Sequence, residues 1–228
     1  MKQNIMTRLS LAGVGSLALS LVCTQVQAAT IQFDNRVAFE NATTSLNIET
    51  FNSFTSDVTL PSVADPADGL DIGAFFLSQS PGGRTFFDRI NLDGSDFFNV
   101  DGTSFVEGIG GNPGESITFL FKESITAFGV DLFSVNNDEK RTEVIIDSET
   151  FTPPITSGHT KTFFGVTSDT PFTTVTFSTT QTVSDFAGLD NVSFGVAQSD
   201  TAAVPESGFT VALLALGTLG LFKVRSKK

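Results

Sequence analysis

The chain has no tryptophan and no tyrosine, one cysteine, one histidine and only 13 lysines and arginines in 228 residues. Each shortage excludes something. The lone cysteine, Cys23, lies inside an N-terminal leader, so the mature chain is expected to carry neither a disulfide nor a thiolate metal site. One histidine, His159, in a Gly158–Thr160 loop, does not make a catalytic triad, and no Gly-x-Ser-x-Gly elbow accompanies it. Zinc is excluded on the same count. Without tryptophan or tyrosine there is no aromatic ring with a polar handle, the usual platform for a sugar. Phosphate-cradling glycine loops are missing too, because Gly108-Ile-Gly-Gly111 leads into proline and not into a helix.

What is present divides into leader, body and tail. Lys2 and Arg8 precede the apolar run Leu9–Val22, and Val26-Gln27-Ala28 forms a small-residue cleavage site, so 1–28 reads as a signal peptide. Residues 29–196 read as one folded domain and 197–203 as a polar linker. The tail, 204–228, has three parts: the motif Val204-Pro205-Glu206-Ser207-Gly208, the apolar run 209–222, and the basic end 223–228. As a helix of 14 residues the run covers about 21 Å, short of the roughly 30 Å hydrocarbon core. The basic cluster places everything before it across the membrane.

These tail residues resemble the PEP-CTERM sorting signal of exported bacterial proteins, whose usual signature is Val-Pro-Glu-Pro. Ser207-Gly208 departs from that form, and the motif is also close to the sister signature Val-Pro-Asp-Ser-Gly. The resemblance implies recognition and cutting by an exosortase-type membrane protease, a transient hold in the inner membrane, and release to the cell surface or matrix. It also implies hosts that make exopolysaccharide, with biofilm as the setting. A weak tail anchor is the plainer reading.

The body, 29–203, holds 7 basic and 24 acidic residues, a formal charge of −17. Such a field repels phosphate backbones, so nucleic acid is not expected as a partner. Its pattern is strand after strand: Ile117, Phe119 and Phe121 alternate with polar residues, as do Phe128, Val130 and Leu132, and later Val192, Phe194 and Val196. A hairpin is expected from Phe97–Val100 and 104–109 across Asp101-Gly102. Ten to twelve short strands predict an all-β, two-sheet jelly-roll or lectin-like sandwich. The stretch from Phe164 to Phe194, with its Asp190-Asn191 step, is also similar to cores that precede PEP-CTERM tails, which look like lectin-type or carbohydrate-module jelly rolls.

Calcium is the cofactor the residues suggest. Asp190 and Asn191 open the last strand, while Glu49 and Asn52 lie on or beside an early one, and the two strands are commonly neighbours in such sandwiches. The plainer reading of Asp190-Asn191 is a turn. Carboxylates are plentiful, but no spacing selects a glycosidase pair. The chain is therefore expected to be a non-catalytic exported surface or matrix protein associated with extracellular polysaccharide. The alternatives are a calcium-assisted carbohydrate-binding lectin-like module and a glycan hydrolase.

Overall fold

The computed structural model describes residues 29–81, 89–108, 115–179, 185 and 187–198. The leader 1–28, the linker residues 199–203 and the sorting segment 204–228 lie outside the described residues. In chain order the elements are β1 (Thr30–Phe33), α1 (Arg36–Asn41), β2 (Thr43–Glu49), β3 (Val58–Thr59), a 3₁₀ turn (Pro66–Asp68), β4 (Leu70–Asp71), β5 (Phe75–Gln79), β6 (Arg89–Asn91), β7 (Phe105–Gly108), β8 (Ser116–Phe133), β9 (Thr142–Ile146), β10 (Glu149–Phe151), β11 (Lys161–Thr179) and β12 (Ala187–Ala197). Pairings between these strands are antiparallel, in one sheet with the main order β10-β9-β11-β8-β12-β7-β6-β3. The expected all-β sandwich is what the chain builds.

Its two layers are joined through bent strands. Alternation before and after Lys122-Glu123 predicts two strands, yet β8 runs unbroken for 18 residues, and β11 for 19. Both bend at the same level, where Lys122–Ser124 and Asp169–Pro171 are exposed and the pairing register slips between Thr167 and Thr174. Before the bend β8 pairs with β5; after it, with β12. Strands that turn a corner in this way carry one sheet over onto itself. The folded-over faces meet through phenylalanines: Phe75 lies 5.9 Å from Phe194, Phe121 lies 5.2 Å from Phe194, and Phe119 lies 5.7 Å from Phe128. Phe119 and Phe128 are wholly buried, and truncating either to alanine costs about 3–5 kcal/mol.

The hairpin expected over Phe97–Val100 is a correction. Only β7 is a strand there; residues 92–104 form a loop. Asp93 accepts from the Ser95 N–H (2.9 Å), Asp96 from Phe98 (2.8 Å) and Asp101 from Thr103 (3.0 Å). Short side chains that capture the N–H two residues ahead turn the backbone and occupy donors that a ladder would need. The turn at Asp101-Gly102 does form, with Gly102 at φ +95°.

Helix α1 has no counterpart in the sequence reading. Asn35 caps it by accepting from the Ala38 N–H (3.0 Å), and its buried Phe39 lies on the glycine pair Gly129–Gly165, which face each other across β8 and β11. A Cβ on either glycine would stand 2.9 Å from the Phe39 ring. The pair thus makes the recess in which the helix seats, and the helix in turn places Arg36.

Candidate ligand-binding corner

Where β12 leaves its register with β8, between Asp190 and Ser193, Asn191 takes a left-handed backbone (φ +52°). This bulge directs polar groups from three elements to one corner. Asp190 lies opposite Asp131 of β8 and is completely buried. Its Oδ1 accepts from the Asn191 N–H (2.6 Å). Burial pushes the Asp190 carboxyl up to about 7, and the neighbouring charges of Asp101 and Asp131 add to that rise against the Asn191 hydrogen bond. Asp101 moves the other way. Partial burial raises it, but hydrogen bonds from Thr103, Asn191 and the Asp190 carboxyl together outweigh burial and hold it below the usual carboxylate range. Asp190 is therefore protonated below about pH 7, beside an Asp101 that its hydrogen bonds hold ionised.

The rest of the corner is tied to the same pair. The Asn191 Nδ2 donates to Asp101 Oδ2 (3.2 Å) and to Asp131 Oδ2 (3.1 Å). Arg36 donates from Nε to Asp131 Oδ1 (3.0 Å), from Nη1 to Ser193 Oγ (2.8 Å) and from Nη2 to the Asn191 carbonyl (2.9 Å). Its guanidinium carbon sits 4.9 Å from the centre of the Phe163 ring. A planar fork with most of its donors engaged is pre-organised and holds its acceptors in fixed places. Beside it opens a cavity of about 350 Å³, lined by Asp34, Arg36, Asp101, Asp131, Lys161 and Thr162 among others.

The residues named from sequence separate here. Asp190 and Asn191 are at the corner. β2 does pair with β12, with Glu49 opposite Val192. The Glu49 carboxylate, however, accepts from the Phe51 N–H (2.6 Å), and the Asn52 amide oxygen from the Ser104 N–H (3.1 Å). The oxygens that meet Asp190 and Asn191 belong to Asp101 and Asp131. Among the described residues no group of three or more His, Cys, Asp or Glu is arranged to hold a metal ion. Sequence reasoning missed Asp101, Asp131 and Arg36. The available signal was Asp131, a carboxylate inside the apolar run Val130–Leu132. The motif Val204, Pro205, Glu206, Ser207, Gly208 lies outside the described residues.

Fold and corner together define an all-β sandwich with a polar surface cleft. No protein-family model and no curated protein matches this chain. Solved structures of family 29 carbohydrate-binding modules do align with it. A point mutant of one such module shares 11% identity at a TM-score of 0.36, over 66% of this chain and 100% of that one. Another structure of the family shares 11% at 0.35, over 66% and 99%. Both values lie below those of chains that share a topology. Among the described residues no helix is long and apolar enough to cross a membrane.

Proposed function

We propose that this chain is an exported, non-catalytic cell-surface or extracellular-matrix protein whose β-sandwich associates with extracellular polysaccharide. The observation that carries the non-catalytic reading is the complete burial of Asp190, the corner carboxyl with the raised proton affinity. A glycosidase needs two carboxyls with a sugar or water between them, and the fully enclosed Asp190 meets neither. The groups around it are locked by Arg36 as fixed donors and acceptors, the kind of surface that matches hydroxyls. The leader and the Val204–Gly208 motif support Sec export, a transient hold in the inner membrane by 209–222, and cutting by an exosortase-type protease. Intact-mass measurement of the protein from a native host's culture fluid tests the route. Loss of 209–228 is expected, and retention of Lys228 overturns it. Co-sedimentation with the host's exopolysaccharide tests the association, and turnover of that polysaccharide would overturn the non-catalytic reading.

A second reading is a calcium-assisted carbohydrate-binding module. The Asp190-Asn191 step beside the Asp101 and Asp131 carboxylates supports it, although the three carboxyls are not arranged as a metal cluster. Hard cations take six to eight oxygens of this kind.

A further inference from the structure

Among the described residues, Phe97 is the one phenylalanine with a largely exposed side chain, at 59%. It is not a stray ring on a loose loop. Phe98, Phe133 and His159 stand around it edge to face, at centroid distances of 5.1, 5.8 and 5.0 Å. His159 is itself held by the Ser134 hydroxyl, 2.7 Å from Nδ1. The loop beneath is fixed by the Asp96 hydrogen bond to the Phe98 N–H and by the Asn99 amide, which donates to the Thr103 carbonyl (2.6 Å). It also lies flat on β12, since a Cβ on Gly188 would meet the Phe98 carbonyl oxygen at 2.0 Å.

Sheet register places this ring beside the polar cleft. Phe133 of β8 is opposite Lys161 of β11 and Gly188 of β12; two residues back, Asp131 is opposite Phe163 and Asp190. Residues two apart on a strand share a face and lie about 7 Å apart. The aromatic cluster and the Arg36–Asp131 cleft are thus consecutive rows of one outer surface, an apolar ring followed by locked hydrogen-bonding groups.

We propose that Phe97, with the adjoining cleft lined by Asp101, Asp131 and Lys161, is a binding site for a neutral hexose polymer. An apolar ring accepts the C–H face of a sugar, and fixed carboxylates, Lys161 and Thr162 meet its hydroxyls. The polymer is uncharged because the body carries a formal −17 and the donors of Arg36 are engaged inside the corner. The inference rests on the polysaccharide association proposed above and adds the site and the chemical class.

The test uses the full chain as wild type, Phe97→Ala and Phe97→Trp, in affinity electrophoresis through gels holding a soluble β-glucan, an α-glucan or a mannan, with alginate as the acidic comparison. The expected result is retardation by a neutral polymer, weakened at least about tenfold in Phe97→Ala and restored in Phe97→Trp, with an unchanged melting midpoint. Wild-type retardation that Phe97→Ala leaves intact overturns the site while the polysaccharide reading stands. Retardation by alginate alone overturns the neutral class. No retardation by any polymer, together with no co-sedimentation with host exopolysaccharide, overturns both. A dimer in sedimentation velocity that Phe97→Ala dissolves makes the ring a self-interface and also overturns the site.

Discussion

Asp190 and Asn136 show what single buried side chains decide here. Asn136 is fully buried with φ +54°. Its amide accepts from the N–H groups of Arg141 and Thr142 (2.7 Å each) and donates to the carbonyls of Thr142 and Pro153 (3.1 Å each). Asparagine tolerates that backbone and satisfies the turn from inside. Asp190 sets the pH response. In the folded chain it holds its proton to about pH 7, whereas an unfolded aspartate releases it near 4. Between those values the folded state binds the extra proton, so stability falls as pH rises from about 4 to about 7 and levels off above. Asp185, raised by burial, acts in the same direction. Asp190→Asn keeps the hydrogen bonds and removes the buried charge. In urea unfolding at a series of pH values without calcium, it should flatten that slope and gain a few kcal/mol above pH 7. Parallel curves for the two proteins would contradict the raised Asp190 carboxyl.

At the scale of elements, the sequence pattern was legible where packing is local and illegible where it is not. Period-two alternation marks the apolar faces of β8, β9, β11 and β12. Lys122-Glu123 read as a break because two exposed charges interrupt the pattern, yet hydrogen bonding continues through the bend, since β11 bends alongside β8. Phe97–Val100 and 104–109 predict a hairpin because the Asp101-Gly102 turn between them is real, but Asp93, Asp96 and Asp101 take backbone N–H groups that its ladder would need. Helix α1 depends on Gly129 and Gly165, both far beyond it in the chain. Gly165→Val should displace the Phe163 and Phe39 rings that a Cβ there would meet at 2.7 and 2.9 Å, cost about 1–3 kcal/mol and release Arg36 from Asp131. Hydrogen exchange over 36–41 and urea unfolding check this. Unchanged protection there would show that the helix seats without the glycine recess.

Over the whole molecule, a formal body charge of −17 opposes folding, and no disulfide is expected to offset it. If calcium binds the corner it binds the folded state alone, and a hundredfold excess over Kd stabilises by about 2.7 kcal/mol. Thermal unfolding in about 0.15 M salt, titrated with calcium, separates this from general screening. The expected outcome is a saturable rise for the wild type that is absent in Asp190→Ala. Equal shifts in both proteins, or none, would return Asp190-Asn191 to a bulge held by protein groups alone.

The sequence by itself determined the strand-rich body, the phenylalanine core and the Asp190-Asn191 step, because alternation and turn chemistry act between near neighbours. Its flanking segments also carry the whole case for export, since 1–28 and 204–228 lie outside the described residues. Only tertiary structure decided what surrounds Asp190. Asn191 meets Asp131 across 60 residues of chain, Asp101 across 90 and Arg36 across 155. The choice of those partners rests on the register of β12 against β8 and on a helix seated by two distant glycines. Phe97 belongs to the same class. One phenylalanine among 24 looks like the rest in sequence, and it is the loop folding over Gly188 that turns this one outward beside the cleft.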